Sequence, residues 1–221
     1  MAEDTTFEQK HVIDIYNQIA KSFDTTRNHI WPKNKAFFNN LCQDATKNTK
    51  ILDAGCGNGR NMIYLIENGC TDVNGCDVSD EFVKICTEKK LSVQQENLLN
   101  MSYGNNTFDH IICVAVIHHL STNERRIQAI SELVRVVKPG GTILIQVWAL
   151  EQKFSKITYS EKDVMIPWKR RCHGFEKMDA DRYYHLFEKD ELETICSSVK
   201  GVIIKESYDE HDNYGIILEK T

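Results

Sequence analysis

The chain has 221 residues, of which 41% are hydrophobic and 27% are charged, and its formal net charge is −5 at pH 7. These values are typical of one globular domain, and the acidic balance argues against a protein that binds nucleic acid by charge alone. No apolar run approaches the roughly 18 residues of a membrane span, and the polar N-terminus MAEDTTFEQKH is unlike a signal peptide. We therefore expect a cytoplasmic protein, with the nucleus as the alternative location and no membrane contact.

Hydrophobic spacing predicts helices over the first fifty residues. The apolar residues of the first helix recur at helical spacing and are Phe7, Val12, Ile15, Ile19 and Phe23. Pro32 can open a second helix, because proline is well tolerated in the first turn. These helices precede a segment of different character.

From residue 50 onward, the pattern predicts strands that alternate with helices. The predicted strands are 50–53, 72–77, 91–95, 109–116, 142–148, 202–208 and 214–219. A helix is predicted over 81–89, which Ser79 and Asp80 can cap, and another follows a capping box at Ser121-x-x-Glu124 and ends at Pro139-Gly140-Gly141. The polar stretch 151–181 and a helix over 189–198 complete the chain. This alternation predicts a doubly wound α/β sheet that is closed by a C-terminal hairpin.

Eight cysteines are spread over the chain, and none forms a C-x-x-C pair with another. Several, such as Cys113, lie in apolar runs, where a thiol behaves as a small hydrophobic side chain. The pattern favours reduced thiols over disulfides, and we expect no metal site in this chain.

The stretch Asp53-Ala-Gly-Cys-Gly-Asn-Gly59 directly follows the first predicted strand. Ligands of open α/β sheets bind beyond the carboxyl ends of the strands, and glycines allow a close approach of the backbone, so we expect a ligand here. The spacing D-x-G-x-G-x-G differs from the dinucleotide fingerprint G-x-G-x-x-G, which disfavours an NAD-dependent dehydrogenase. Asp53 suits a cationic moiety such as an amino-acid ammonium, and Asp77 can accept the protons of ribose hydroxyls.

This stretch resembles the first motif of class I S-adenosylmethionine-dependent methyltransferases. The resemblance implies a seven-stranded Rossmann-like sheet, mostly parallel with a C-terminal antiparallel hairpin, and N-terminal helices that cap the site. It implies S-adenosylmethionine as the cofactor, held by Tyr16, Asp53, Gly55, Cys56, Gly57, Asp77, Val78, Asn97, Leu98 and Val114. Tyr16 could equally serve helix packing. Asn97 stands where most relatives have Asp, so we expect weaker selection of the adenine amino group.

We expect a single methyltransferase domain over residues 1–221. Its parts are an N-terminal helical cap over 1–49, a cofactor-binding core over 50–150, and a substrate-side segment with the C-terminal hairpin over 151–221. We find no internal repeat, low-complexity tract or linker in the sequence.

Further blocks of the sequence resemble the eukaryotic tRNA wobble-uridine carboxymethyl methyltransferases. They are Ile15-Tyr-Asn-Gln-Ile-Ala20, F-x-x-T-R-x-x-x-W-P over 23–32, VIHHLSTNERR over 116–126, VWALEQ over 147–152, V-x-I-P-W over 164–168 and RYYHLF over 182–187. The resemblance implies methyl esterification of 5-carboxymethyluridine at position 34, in the tRNA anticodon loop, to 5-methoxycarbonylmethyluridine. It also implies a heterodimer with a small zinc-containing activator subunit.

The acceptor chemistry indicates which side chains to look for. A carboxylate is already ionised at neutral pH, so it needs orientation and exclusion of water rather than a general base. Candidate orienting groups are Arg27 and Arg182, together with His118 or His119. A flat wall for the flipped base would come from Trp31, Trp148 and Tyr183.

Three alternatives remain open for the adjacent pair His118 and His119. A metal site lacks further ligands at suitable spacing, and a general base is unnecessary for this nucleophile. We expect one histidine to satisfy backbone groups of the loop and the other to line the substrate pocket.

The basic residues and the tyrosine pair also have two interpretations each. Arg125 and Arg126 contact RNA phosphate or form a solvated helix face, and Lys169-Arg170-Arg171 contacts phosphate or is a plain surface loop. The pair Tyr183-Tyr184 belongs to the core or to the pocket.

An acidic tRNA enzyme must concentrate its cations on one face or obtain them from a partner. Strand three, Leu91–Gln95, should be a sheet edge, and an unpaired edge can accept a strand from a partner. We therefore expect the activator subunit to add its strand there.

Two rival functions remain. The hypothesis of a small-molecule or quinone methyltransferase does not account for the sequence blocks that contain Arg27, Trp31 and Arg182. A non-catalytic methyltransferase-like scaffold does not need intact Asp53 and Asp77.

Overall fold

The structure is a computed structural model that describes residues 2–27, 29–168 and 180–221. The predicted basic cluster Lys169-Arg170-Arg171 lies outside the described residues. No helix of the described ranges is both long and apolar enough to cross a membrane.

A seven-stranded sheet forms the centre of the molecule, in the order β3-β2-β1-β4-β5-β9-β8. Its strands are β1 (Lys50–Ala54), β2 (Asp72–Asp77), β3 (Ser92–Gln95), β4 (Phe108–Val114), β5 (Val137–Trp148), β8 (Val202–Glu210) and β9 (Asn213–Lys220). The strands β1 to β5 pair in parallel, whereas β9 pairs antiparallel with both β5 and β8. The predicted fold is confirmed, including β3 as an edge strand.

Helices cover both faces and one end of the sheet. They are α1 (Ala2–Glu8), α2 (Asp14–Thr26), α3 (Pro32–Asp44), α4 (Arg60–Glu67), α5 (Asp80–Glu88), α6 (Asn123–Val136) and α7 (Glu191–Ser198), with a π-helical turn over Gln9–Ile13 between α1 and α2. The central strands β1 and β4 are almost wholly buried because apolar side chains point to both covered faces. Helix α2 contacts α5, and its Phe23 ring comes within 3.8 Å of where a Cβ on Gly57 would stand, so α2 lies over the carboxyl end of β1.

Two predictions around α6 are wrong. The Thr122 side chain, rather than Ser121, accepts the backbone N–H of Arg125 and caps the helix. Ser121 instead donates from both its backbone and its hydroxyl to the Glu8 carboxylate. Helix α6 ends at Val136, and Pro-Gly-Gly lies inside β5, at a register shift where a Cβ on Gly141 would stand 2.4 Å from the Asp109 carbonyl oxygen.

A second, two-stranded sheet was not predicted. It pairs β6 (Asp163–Pro167) antiparallel with β7 (Asp181–His185). Strand β6 lies inside the polar stretch 151–181, and β7 begins at the last residue of that stretch. Its strands contribute buried side chains at Ile166, Tyr183 and Tyr184. The Tyr183 ring packs edge-on against Phe7 of the first helix, and the Tyr184 hydroxyl bonds to that of Tyr16 in α2. This hairpin supplies one wall of the cleft at the sheet edge.

Candidate active site

The glycine turn after β1 is pinned to β2 by backbone hydrogen bonds. The N–H groups of Gly55 and Cys56 donate to the Cys76 carbonyl oxygen at 2.8 and 2.9 Å. Gly55 has φ +78°, and a Cβ added there would lie 2.3 Å from Val116 Cγ2. Only glycine avoids both the left-handed strain and this clash, which explains the first glycine of the motif.

Asp77 organises the next part of the turn. One carboxylate oxygen accepts the Gly57 N–H at 2.9 Å, and the other accepts the Ser79 N–H at 2.9 Å. Burial raises the pKa of Asp77, and these backbone donors oppose that rise. The carboxylate faces the cavity and keeps lone pairs for ribose hydroxyls.

Asp53 is a buried carboxyl group whose Oδ2 has no hydrogen-bond partner among the described residues. Its Oδ1 lies 3.5 Å from the Asn61 side-chain nitrogen, which is a weak contact. Burial raises the pKa of Asp53 to about 7. A ligand ammonium would satisfy this oxygen and stabilise its charge, but Asp53 is 1% exposed and does not line the cavity over the glycine turn.

A cavity of about 550 Å³ opens over this turn, which is a suitable size for a cofactor. Every predicted cofactor residue except Asp53 lines it, namely Tyr16, Gly55, Cys56, Gly57, Asp77, Val78, Asn97, Leu98 and Val114. The Asn97 side-chain oxygen accepts the Leu99 N–H at 3.0 Å and so also closes the loop after β3. The residues present therefore fit S-adenosylmethionine.

Arg182, on β7, lies at the far end of this cavity and is 5% exposed. Its guanidinium carbon lies 5.0 Å from the Trp168 ring centroid, 5.1 Å from that of Tyr184 and 5.8 Å from that of Tyr16. Its Nη1 donates to the Tyr184 hydroxyl at 2.8 Å, and its Nε has no partner among the described residues. No carboxylate in the described ranges forms an ion pair with it, so within the described part of the chain this buried cation has an aromatic cage and no counterion.

A directional hydrogen-bond chain runs beside this cation. The His119 Nδ1–H donates to the Tyr183 carbonyl oxygen at 2.8 Å, because a carbonyl can only accept. His119 Nε2 must then accept the Tyr16 hydroxyl proton at 2.9 Å, and Tyr16 in turn accepts from the Tyr184 hydroxyl at 3.1 Å. Burial lowers the pKa of His119 to about 3, so the ring is neutral and this polarity is fixed.

The two histidines lie in a 3₁₀ turn (Ile117–His119) and face different surroundings. His119 lines the cavity. His118 accepts the Trp148 backbone N–H through Nδ1 at 3.1 Å, and burial lowers its pKa well below the usual value. Its Nε2 has no partner in the described part of the chain. His118 therefore satisfies a backbone group, whereas His119 satisfies one and also lines the cavity.

A second cavity, of about 890 Å³, adjoins the first and shares with it Arg27, Trp31, Trp148 and Arg182. The Arg27 guanidinium lies over the Trp168 ring at 5.0 Å. The predicted orienting arginines and two of the three predicted wall residues therefore meet at the boundary between the two cavities. The sharing of these residues makes one continuous cleft with a cofactor end and an acceptor end.

The structure corrects two expectations about this cleft. Tyr183 does not line either cavity, because its hydroxyl turns away to the Asp163 carboxylate, and Tyr184 lines the pocket instead. Arg125 and Arg126 are not an exposed pair. Arg125 lines the first cavity but is paired with the Glu8 carboxylate at 2.8 and 2.5 Å, and Arg126 is 4% exposed.

Sequence reasoning missed several lining residues. Arg60 follows the last glycine of the motif, lines the cofactor cavity, and lies over the Trp31 ring at 5.1 Å. Trp168 and Tyr184 complete the cage around Arg182, and both belong to sequence blocks that carried the family resemblance. Their place in those blocks is the feature of the sequence that could have identified them as site residues. Among the described residues, no group of three or more His, Cys, Asp and Glu side chains could hold a metal ion.

Comparison with known proteins agrees with the geometry of the cleft. A family model described as a methyltransferase domain matches residues 52–145. A crystal structure of an S-adenosylmethionine-dependent methyltransferase from Clostridium acetobutylicum superposes with a TM-score of 0.73 over 93% of this chain and 98% of that one, at 14% identity. The fold and the site thus define a class I S-adenosylmethionine-dependent methyltransferase.

Proteins of similar sequence identify the family within this class of methyltransferases. A tRNA (carboxymethyluridine(34)-5-O)-methyltransferase of Schizosaccharomyces pombe is 34% identical over 97% of this chain and 98% of its own length. The enzyme of that name from Arabidopsis thaliana is 47% identical over 66% of this chain, and alkbh8 of Xenopus tropicalis is 30% identical over 98% of it. The chain belongs to the tRNA (carboxymethyluridine(34)-5-O)-methyltransferase family, which confirms the resemblance. It spans 42% and 34% of the length of the frog and plant relatives.

Proposed function

We propose that this chain transfers the methyl group of S-adenosylmethionine to the carboxylate of 5-carboxymethyluridine at position 34 of tRNA. The observation that carries this proposal is Arg182, a buried cation with no ion-pair partner among the described residues, at the boundary of the two cavities. Burying an unpaired charge is costly, whereas an arriving carboxylate would supply the missing counterion. An anionic acceptor therefore fits this site better than a neutral one.

The residues of the cleft support esterification without a general base. When bound, S-adenosylmethionine supplies an electrophilic methyl group on a positively charged sulfur. The acceptor carboxylate is ionised on arrival, so the chain has only to orient it and exclude water. His119 does not act as a base in this proposal, because its free nitrogen already accepts the Tyr16 hydroxyl proton.

The aromatic residues of the acceptor end suit a flipped pyrimidine. Trp31, Trp148 and Trp168 line the second cavity, and Tyr184 adds its ring from β7. Bases that leave a stack are commonly held between aromatic side chains. We propose that these rings hold the uracil while Arg182 and Arg27 orient its carboxymethyl group.

We further propose that a small zinc-containing activator subunit forms a heterodimer with this chain by adding a strand to β3. The strand is an edge of the sheet, and its residues Ser92, Gln94 and Gln95 are exposed. A complex between the Haloferax volcanii Trm112 methyltransferase activator and a methyltransferase superposes with a TM-score of 0.67 over 95% of this chain and 97% of the matched chain, at 14% identity. The pair would act in the cytoplasm, with the nucleus as the alternative.

Transfer of labelled methyl groups tests the proposed reaction. The purified chain, with and without the activator subunit, is incubated with labelled S-adenosylmethionine and tRNA that carries 5-carboxymethyluridine, and the nucleosides are then analysed. We expect label in 5-methoxycarbonylmethyluridine and none in tRNA that carries unmodified uridine at position 34. Label elsewhere in the tRNA, or in a small-molecule acceptor only, would contradict the proposal.

Hydrogen exchange tests the proposed partner surface without any substitution. Addition of the activator should protect the amides of Ser92–Gln95 and leave those of β8, the other edge strand, unchanged. Protection that is absent from β3 would contradict strand addition. A chain that is monodisperse and fully active alone would contradict the need for the partner.

A further inference from the structure

A short loop after β5 presents an aromatic ring and two cations to solvent. We call Lys153-Phe154-Ser155-Lys156 the tip segment. Phe154 is 72% exposed, and both lysines are exposed as well. Neither lysine forms an ion pair with a carboxylate in the described ranges. The tip segment thus places an exposed aromatic ring between two exposed lysines on a chain with a net charge of −5.

Hydrogen bonds from neighbouring residues fix the backbone of the tip segment. The Asp212 carboxylate, in the turn between β8 and β9, accepts the N–H of Phe154 at 2.6 Å and that of Ser155 at 2.7 Å. The Gln152 side chain donates to the Ala149 carbonyl oxygen at 2.7 Å and accepts the Ser155 hydroxyl at 3.1 Å. These bonds fix the backbone that carries the exposed ring.

The position of the tip segment relates it to the acceptor end of the cleft. Ser155, Ile157 and Asp212 line the second cavity together with His211. The Phe154 ring lies edge-on to the His211 ring, with centroids 4.7 Å apart and planes at 80°. Phe154 therefore stands next to two residues that line the cavity, Ser155 and His211, while most of its own surface is exposed.

We propose that Phe154 stacks on the base of a nucleotide adjacent to the acceptor uridine, and that Lys153 and Lys156 contact the flanking phosphates. This inference rests on the proposed function, because the cleft must receive an RNA nucleotide. Aromatic stacking suits any neighbouring base, since every base has a π face, and lysines neutralise phosphate without reading sequence. The arrangement concentrates on one edge the positive charge that an acidic tRNA enzyme needs.

Steady-state kinetics on an anticodon stem-loop with 5-carboxymethyluridine at position 34 tests the role of the ring. We expect Phe154→Ala to raise KM about tenfold, as loss of one stacked base would, with kcat unchanged. Phe154→Trp should retain the KM of the parent chain. Ile203→Ala is the matched control, because Ile203 is also exposed but lies at the opposite end of β8 from the turn that holds the tip segment.

Abasic substrates identify the stacked nucleotide. An abasic site at position 33 or at position 35 should raise KM for the parent chain about as much as Phe154→Ala does, and the two changes together should add nothing further. A Phe154→Ala variant with a KM within twofold of the parent on intact RNA would overturn the proposal. The proposal would also be overturned if the effects of the abasic site and of Phe154→Ala on KM simply multiplied.

Salt dependence tests the two lysines. In the Lys153→Ala/Lys156→Ala variant, the slope of log KM against log salt should fall by about 1.4, for two phosphate contacts on a single strand. An unchanged slope would overturn that part of the proposal. If the parent chain transferred no methyl group to any RNA, the proposed function would fail instead. Anisotropy of a labelled stem-loop would then still report whether Phe154→Ala weakens binding.

Discussion

The two ends of the cleft are built in different ways. At the cofactor end, the glycine turn and the two acids Asp53 and Asp77 come from the ends of β1 and β2, and backbone groups form most of the contacts. At the acceptor end, side chains from α2, the 3₁₀ turn and β7 meet around Arg182. The difference shows that one end is fixed by strand geometry and the other by packing of distant elements.

This contrast has a functional consequence. Changes at the cofactor end should alter affinity for S-adenosylmethionine, whereas changes at the acceptor end should alter turnover of RNA at unchanged cofactor affinity. Substitutions that affect both quantities equally would show that the two ends are not independent.

The largest effect is expected for Arg182→Met. It should lower kcat/KM for RNA about 10²–10³-fold, because the acceptor carboxylate loses its cation, while the dissociation constant for S-adenosylmethionine stays within twofold. The melting temperature should not fall, since a buried charge with no ion pair among the described residues is replaced by an apolar side chain. Arg135→Met serves as the contrast. Arg135 forms an ion pair with Glu132, so its replacement should lower the stability of the fold but leave turnover unchanged. Equal losses of stability in the two variants would refute this assignment.

Gly55→Ala should disturb the cofactor end. The left-handed φ costs about 1–2 kcal/mol for a residue with a Cβ, and Val116 must also move. We expect a lower melting temperature and at least about tenfold weaker binding of S-adenosylmethionine by calorimetry. Gly140→Ala is the matched control, because Gly140 has φ +77° with no atom within 4 Å of an added Cβ. If both variants bound the cofactor equally well, the close approach at Gly55 would be irrelevant to the site.

Binding of S-adenosylmethionine should depend on pH through Asp53. With a pKa raised to about 7, the unliganded carboxyl group binds a proton below that pH, and this proton must leave before an ammonium can pair with it. Affinity should therefore fall up to about tenfold per pH unit below 7. The same raised pKa makes this group stabilise the unliganded fold at low pH, and that contribution is lost as the pH rises towards 7. In Asp53→Asn, the affinity should be weaker and independent of pH in this range; a persisting dependence would assign the effect to another group.

The smallest effect is expected for Tyr16→Phe. It removes one link between His119 and Tyr184 but keeps the ring beside Arg182, so kcat/KM for RNA should fall about fivefold, the equivalent of one hydrogen bond of roughly 1 kcal/mol. Cofactor affinity should be unchanged if the hydroxyl belongs to the acceptor end alone. Tyr208→Phe, which removes a hydroxyl bonded to Asn34 away from the cleft, serves as the control. If the substitution changed only the affinity for S-adenosylmethionine, Tyr16 would be assigned to the cofactor end.

Much of the fold was predictable because its cues are local. The strand β2 was predicted with its observed bounds, and Ser79, one of the two predicted caps, does cap α5, whereas Asp80 is its first residue. The errors fall where longer-range contacts override local cues. Ser121 looked like a cap but is bonded to Glu8, more than one hundred residues away, and Pro-Gly-Gly looked like a helix end but forms a bulged start of β5.

The sequence alone determined the alternating strands and helices and the acid-glycine turn, because hydrophobic periodicity and glycine spacing act over a few residues. Only the tertiary structure decided that Tyr184 rather than Tyr183 faces the cleft, that His119 rather than His118 lines it, and that Arg182 lacks an ion pair in the described part of the chain. Those outcomes depend on which face of β7 packs against α2 and on where neighbouring carboxylates lie. Contacts between residues so far apart in sequence leave no local pattern to read.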